Sequence, residues 1–417
     1  MAQLTDDCFA FGGELMPVDA ALALIAERIT PVAGVETVKL AKADGRVVAA
    51  DIASPLALPP FDNSAVDGYA VRHADLMAEG NTVLPLRGRV AAGGSAAGLA
   101  TKGSAVRVFT GAPLPADADT VFMQEDVEAA GDRVTLPPGL REGANLRRAG
   151  EDVARDTVLL PAGRRLRPQD VALAAAAGLP AISVRRRLKV ALFSTGDELV
   201  EPGVELRPGA VHDSNRPLIA CMLRRFGVEI SDLGILRDDR GELAQRLAAA
   251  ARHHDLILTS GGVSTGEEDH VKAAVEAVGR LVFWRLGIKP GRPVAMGVIG
   301  GIPFVGLPGN PVAVFVTFCH VVRPLLARLS GMAPDPLKTV PVRAAFGYRK
   351  KTGRREYVRV SLRDAADGTV EAMKHPQEGA GILTSLTETH GLVELAEHVQ
   401  AIAPGDMVGF LPYAAMW

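Results

Sequence analysis

From residue 188 to about 333 the chain alternates short apolar runs with helix-like text, and that alternation restricts the fold more than anything else in it. "LKVALFSTG", "VEISDLGIL", "DLILTSGG" and "PFVGLPGNP" read as buried strands. "SNRPLIACMLRRFG", "DDRGELAQRLAAAARHH" and "EEDHVKAAVEAVG" read as the helices between them. Strands joined by helices of this length pair in parallel, because a crossover needs a helix to return the chain to the same edge. The segment is therefore a doubly wound, mostly parallel α/β domain.

The 417 residues exceed one hydrophobic core, so further domains flank it. Residues 1–54 and 146–187 carry helix-like patterns such as "MPVDAALALIAERI" and "RPQDVALAAAAGLP". Between them, residues 55–145 are short apolar runs broken by Gly, Pro and Asp. The expectation is a discontinuous helical domain with an inserted β-rich domain. Residues 334–417 hold only short strands, which predicts a small C-terminal β-barrel.

Composition excludes several classes. A formal net charge of −2 and 5% aromatic residues give neither the basic field nor the stacking surface of a nucleic-acid binder. Cys8, Cys221 and Cys319 have no zinc spacing and do not pair up as a disulfide framework. The start lacks the pattern of a signal peptide, and "VALAAAAGLPAISV" (171–184) is broken by Gly178 and Pro180 and too short to span a bilayer. No membrane or nucleic-acid partner is expected, and the expected location is the cytoplasm.

In an open α/β sheet, ligands bind beyond the carboxyl ends of the strands, where helix N-termini present free N–H groups to anions. Three loops lie there. "TSGGVSTGEEDH" offers Ser260, Gly261, Gly262, Ser264 and Thr265, then Glu267, Glu268 and Asp269. The glycines admit backbone contact with a ligand, and the acids either cap the next helix or face a metal held beside a phosphate. "FSTGDEL" repeats the theme with Ser194, Thr195, Gly196, Asp197 and Glu198. "GLPGNPVAV" brackets a rigid turn with Gly306 and Gly309, then sets Asn310 as N-cap and Pro311 as first helical residue. Arg285, Lys289 and Arg292 add cations suited to an oxyanion. The chain has no P-loop, no dinucleotide GxGxxG after a strand, no HExxH and no GxSxG.

Taken together, "PPFDNSAVDGYAVR", "RVFTGAPLPADADTVFMQED", "FSTGDEL", "TSGGVSTGEEDHVK", "IKPGRP" and "GLPGNPVA" resemble the molybdopterin molybdenumtransferase family, the MoeA-like group that includes the gephyrin E domain. The resemblance runs from about residue 14 to the C-terminus. It implies insertion of molybdenum from molybdate into adenylyl-molybdopterin, with release of AMP and the use of Mg²⁺. It also implies a homodimer whose active site lies between the α/β domain of one subunit and the inserted domain of the other. An enzyme that produces adenylyl-molybdopterin and molybdoenzymes that accept the product are the implied partners.

Carried over motif by motif, Asp67 and Thr110 belong to the partner-subunit side, with Arg147 and Asp152 near the same cleft. Glu198, Asp238, Asp269 and Lys289 match functionally sensitive positions, and Pro293 closes the "IKPGRP" motif behind Arg292. Arg285, Arg292 and Ala313 depart from the family, which often has Lys, Lys and Ser there. Asp238, Asp269 and Glu198 are the candidate Mg²⁺ carboxylates. Glu198 and Asp67 are alternative proton donors for departing molybdate oxygens. The basic tail segment "TGRREYVR", through Arg355, and Ser385 are further candidate donors to molybdate. The alternatives are the sister enzyme that adenylylates molybdopterin, whose single domain resembles 188–333 alone, and a non-catalytic scaffold of the gephyrin kind.

Overall fold

A computed structural model of the chain describes residues 15–237, 239–261, 270–291 and 294–416. Its central sheet has six strands in the order Glu229–Leu236, Lys189–Thr195, Leu256–Ser260, Ile302–Leu307, Val294–Ile299 and Gly279–Trp284. The first four run parallel, and the last two are joined antiparallel. Val190, Ala191, Leu192 and Phe193 are all fully buried. Both faces of that strand are covered, which is why it reads as an unbroken apolar run.

The long helix after the last parallel strand is interrupted. Pro311–Thr317 and Arg323–Ser330 are α-helical, and Phe318–Val322 between them is a π turn. Pro324 explains the widening, since it has no N–H to give to the carbonyl four residues back and its ring crowds that position. By length and composition Pro311–Ser330 is apolar enough to cross a bilayer, but 89% of its most apolar stretch is buried inside the molecule. It is a core helix, and a longer one than the 171–184 stretch singled out in the sequence.

The discontinuous domain contains more extended chain than its helix-like text suggests. Its core joins Val38, Ala43 and Val48 to Leu159, Leu166, Ile182 and Val184. Among the described residues it holds the α-helix Pro168–Ala176, the short 3-10 turn Leu40–Lys42, and two small antiparallel ladders, Val35–Lys39 with Ala181–Arg185 and Ile52–Ala53 with Val158–Leu160. The helix Val18–Arg28 packs elsewhere: Val18, Ala21, Leu24 and Ile25 share a core with Leu188, Val190 and Leu325 of the central domain. Its apolar spacing fits a helix of the α/β layer, and pattern alone cannot say which sheet a helix covers.

The inserted domain is a six-stranded sheet in which Gly68–Val71 lies between Thr120–Met123 and Ala105–Val108. The C-terminal strands Arg355–Asp364, Val370–Lys374, Val340–Ala344, Met407–Pro412 and Gly391–Leu395 close on themselves as a barrel. One connection positions the site. Ile288–Lys289 leaves the central domain and pairs in parallel with Arg355–Glu356 of the barrel, so Lys289 stands opposite Glu356.

Asp170 anchors the α-helix of the discontinuous domain. Its carboxylate accepts the Arg167 N–H at 3.0 Å, the returning half of a capping box, and pairs with Arg164 at 2.7 Å. Burial pushes this carboxyl up, but the bonds from Arg167 and Arg164 outweigh it and bring its pKa down from 3.8 to about 2. A lowered carboxyl pKa contributes stability that is present above the unfolded value and lost as the pH falls through the folded one. Asp170→Asn is therefore expected to cost about 2 kcal/mol at neutral pH. In denaturant titrations it is also expected to remove part of the stability loss that the wild type shows between pH 4 and 2.

Candidate active site

The parallel strands end in register. Ser194 lies opposite Ser260, and Ser260 opposite Leu307. The loops at 194–198, 260–261 and 307–310 therefore emerge side by side at one edge. Asn215, the first residue of the helix Asn215–Arg225, ties two of them together. Its Nδ2 donates to Ser260 Oγ at 2.9 Å and to the Gly309 carbonyl at 2.6 Å. Ser260 Oγ in turn donates to the Pro308 carbonyl at 3.3 Å.

Two glycines are demanded by this geometry. Gly261 has φ +86°, and a Cβ there would stand 2.5 Å from the Thr195 carbonyl oxygen. Gly196 has φ +152°, and a Cβ would meet the Glu198 carboxylate at 2.7 Å. The hydroxyls of Ser194, Thr195 and Thr259 are buried and have no hydrogen-bond partner among the described residues. Buried hydroxyls left unpaired cost free energy, so a cluster of them at strand ends marks a place where a ligand or water completes the bonding.

Beside these loops, between the central domain and the barrel, lies a cavity of about 250 Å³. Lys289, Gly291, Asn310 and Ala313 face it from one side, and Tyr348, Glu356, Arg359, Lys374 and His375 from the other. Lys289 Nζ pairs with the buried Glu356 carboxylate at 3.1 Å and donates to Tyr348 Oη at 3.2 Å. Burial lowers the pKa of this ammonium, but those two bonds outweigh it and hold the pKa above the ordinary lysine value. Lys374 is paired with Glu378.

Arg359 differs from both lysines. It is 6% exposed, and among the described residues no carboxylate pairs with it. Its Nε donates to Ser385 Oγ at 3.1 Å and its Nη2 to the Gln377 carbonyl at 3.2 Å. Burial pulls its pKa down from the ordinary arginine range. A buried guanidinium held only by neutral acceptors is short of an anion.

The structure reassigns one residue. Arg355 is not among the groups facing the cavity; it is bound by Asp19 at 2.8 Å and Glu397 at 3.1 Å. Burial alone lowers its pKa, but these carboxylates raise it further than burial lowers it. Arg355 therefore locks the helix Val18–Arg28 to the barrel. Arg359 takes the place at the cavity. Both residues lie in the "TGRREYVR" segment on one face of a strand, about 13 Å apart along it.

Ser385 reaches the cavity only through Arg359, and its own hydroxyl donates to the Ile382 carbonyl at 2.6 Å. Asn310 occupies the N-cap position without a side-chain cap bond, leaving its amide at the cavity. The Val312 N–H goes instead to the Ala380 carbonyl at 3.0 Å. Arg285 is exposed, and its carbonyl accepts the Met16 N–H at 2.8 Å.

Asp67, Thr110 and Arg147 lie on or beside the inserted domain. Asp67 Oδ1 accepts both the N–H and the hydroxyl of Thr110 at 2.8 Å, and these bonds hold the carboxyl below its ordinary pKa. Arg147 pairs in a short ladder with Asn63, and the Asp152 N–H bonds the Leu58 carbonyl at 3.0 Å. None of these four makes a hydrogen bond or ion pair with the strand-end loops of its own chain among the described residues. Gly262, Ser264, Asp269, Asp238, Arg292 and Pro293 lie outside the described residues.

Among the described residues no three His, Cys, Asp or Glu side chains gather as a metal site. Glu198 is the one described carboxylate of the candidate Mg²⁺ set. Its carboxylate lies over Gly196, so it offers oxygen donors of the kind a hard cation takes beside a phosphate.

Sequence reading missed Arg359, Asn215, Tyr348, Glu356, Lys374 and His375. For Arg359 the signal was available, since it ends the very segment from which Arg355 was chosen. For the others, a sequence-distant strand pairing brings the groups together.

The architecture and the loops define a class, a multidomain protein built around a molybdopterin-binding type of α/β domain. Residues 16–178 match the family model "MoeA N-terminal region (domain I and II)", 191–328 "Probable molybdopterin binding domain" and 341–413 "MoeA C-terminal region (domain IV)". The molybdopterin molybdenumtransferase of Haemophilus influenzae is 36% identical over 404 residues, covering 96% of this chain and 99% of that protein. Molybdopterin molybdenumtransferase 2 of Mycobacterium tuberculosis is 35% identical, covering 89% and 93%. The crystal structure of the molybdopterin biosynthesis moeA protein from Pyrococcus horikoshii OT3 superposes with a TM-score of 0.81 at 31% identity, covering 96% of this chain and all of that one. The chain belongs to the molybdopterin molybdenumtransferase (MoeA) family.

Gly261→Ala tests the loop geometry. The left-handed conformation costs about 1–2 kcal/mol for alanine, and the contact with the Thr195 carbonyl adds to it. Chemical denaturation is expected to show a loss of at least about 2 kcal/mol.

Proposed function

We propose that this chain is a transferase that inserts molybdenum from molybdate into molybdopterin, completing the molybdenum cofactor. The observation that carries the reading is that Arg359 faces this cavity with no ion-pair partner among the described residues, beside strand-end loops suited to a phosphorylated pterin. Molybdate is a dianion, and the guanidinium fork of Arg359 with the Lys289 ammonium matches a tetrahedral oxyanion. Ser385 orients Arg359, while Glu356 and Tyr348 orient Lys289.

The finer reaction is the insertion of molybdenum into adenylyl-molybdopterin with release of AMP. The hydroxyls of Ser194, Thr195 and Ser260 and the backbone of Gly196 and Gly261 suit the phosphates. Mg²⁺, when bound, neutralises phosphate charge, and Glu198 would hold it. The dithiolene sulfurs of the pterin replace molybdate oxygens, which leave as water after taking protons. Of the two candidate carboxyls for that transfer, Asp67 is held below its ordinary pKa by Thr110 and is disfavoured as a proton donor, which leaves Glu198 beside the pterin loops where it is not the Mg²⁺ ligand.

The chain acts as a homodimer in this reading. Among the described residues Asp67 and Thr110 make no hydrogen bond or ion pair with the site of their own chain, and the inserted domain of a second copy brings them to it. An adenylyltransferase role is disfavoured because the chain carries the inserted domain and the barrel that supplies half the cavity. A pure scaffold has no use for an unanswered buried charge.

AMP release from adenylyl-molybdopterin, followed against molybdate concentration, tests this. Release is expected to depend on molybdate. Arg359→Gln is expected to raise the half-saturating molybdate concentration at least about tenfold, a loss of about 1.4 kcal/mol, while leaving binding of the adenylylated pterin in place. Release at the same rate without molybdate removes the coupling, and an unchanged molybdate response in Arg359→Gln removes the site.

A further inference from the structure

At the opposite end of the central sheet the chain gathers a second set of cations. The catalytic loops follow Thr195, whereas this cluster surrounds the amino end of the same strand, about 20 Å away along it. Arg46, Arg165, Arg185, Arg186 and Arg187 line one cleft, with Phe226 at its wall. No carboxylate is among its lining residues.

Two of the five arginines are neutralised outside the cleft. Arg46 pairs with Glu36, and Arg186 pairs with Asp255 at 2.7 Å. The other three form no ion pair among the described residues. Arg165 lies over the Phe226 ring, its guanidinium carbon 5.2 Å from the centroid, and donates to the Arg225 carbonyl. Arg187 donates to the Gly227 carbonyl at 2.7 Å, and Arg185 to the Ala33 carbonyl at 3.2 Å.

Capping the end of the helix Asn215–Arg225 accounts for one N–H each of Arg165 and Arg187. A guanidinium has five. Arg185 Nε is buried with no partner at all. Burial first, then the nearby Arg323 charge, push the Arg165 pKa down, and the charges of Asp44 and Asp335 offset this only in part. Arg187 is exposed and Arg165 and Arg185 are half-buried, so three guanidiniums without ion pairs among the described residues converge on one solvent-reachable cleft that suits an anion.

We propose that this arginine-lined cleft binds a tetrahedral oxyanion of the phosphate type, either as the free ion or as a terminal phosphate ester. The space within the cleft is about 30 Å³, enough for a small ion or one phosphate group. Arg165, Arg185 and Arg187 come from the discontinuous domain and its exit, while Phe226 and Gly227 belong to the central domain. The bound anion therefore stitches together the two parts that carry the inserted domain and the catalytic loops.

The test uses the full chain carrying Arg359→Gln, which removes the oxyanion position at Arg359; phosphate held by the strand-end loops is told apart because it does not depend on Arg165 or Arg187. Calorimetric titration with inorganic phosphate, at constant ionic strength set by chloride, is expected to show one site per chain. Adding Arg165→Gln or Arg187→Gln is expected to weaken it at least tenfold. Should those variants fold poorly, the thermal midpoint of the Arg359→Gln chain serves instead, and phosphate is expected to raise it where equal chloride does not. Glycerol 3-phosphate separates the sources: equal affinity assigns a phosphate ester, and tenfold weaker binding the free ion. Phosphate binding indifferent to Arg165 and Arg187, an equal thermal shift from chloride, or no binding overturns the proposal.

Discussion

The arrangement turns on one unbalanced charge. Arg359 is brought into a cavity by a barrel strand and given only neutral acceptors. Arg216 shows the contrast: it is equally buried, at 7%, yet Asp213, Asp232 and Glu201 surround it. A protein that pairs one buried guanidinium with three carboxylates and leaves another without an ion pair among the described residues, with only the Glu378 charge nearby, has reserved the second for something else. Leaving a buried charge uncompensated costs several kcal/mol, so the fold supports Arg359 only because the rest of the structure is secure or because an anion arrives.

That security comes from the central sheet and from its junction with the barrel. Strands buried on both faces fix the register of the loops that follow them, and the loops need no rigidity of their own. The short parallel pairing of Ile288–Lys289 with Arg355–Glu356 then swings the barrel over the N-terminus of the helix starting at Pro311. Each residue of that junction has a separate task. Arg355 fastens the barrel to the helix Val18–Arg28, Glu356 holds Lys289, and Arg359 faces the cavity.

What the sequence made legible follows from the range of each signal. The α/β domain was readable because strand and helix periodicities are local, and its loops because glycine and hydroxyl residues at strand ends are adjacent in the chain. Gly261 and Gly196 could be singled out from text alone. The barrel's half of the cavity was not readable, since Glu356, Arg359 and Lys374 meet Lys289 only through pairing of segments some 70–85 residues apart. Choosing Arg355 over Arg359 was a failure of the same kind. Both sit on one face of one strand, and only the carboxylates packed against Arg355 tell them apart. The discontinuous domain misled in a different way, because Val18–Arg28 is helical by pattern but belongs by packing to another core.

The most direct test of the account is to locate a heavy oxyanion. Crystals soaked in tungstate, the close chemical analogue of molybdate, give an anomalous map that marks the ion without reference to activity. The account requires a peak within hydrogen-bonding distance of the Arg359 guanidinium and beside Lys289. A fully occupied peak elsewhere, with the cavity at Arg359 holding only water, would contradict it.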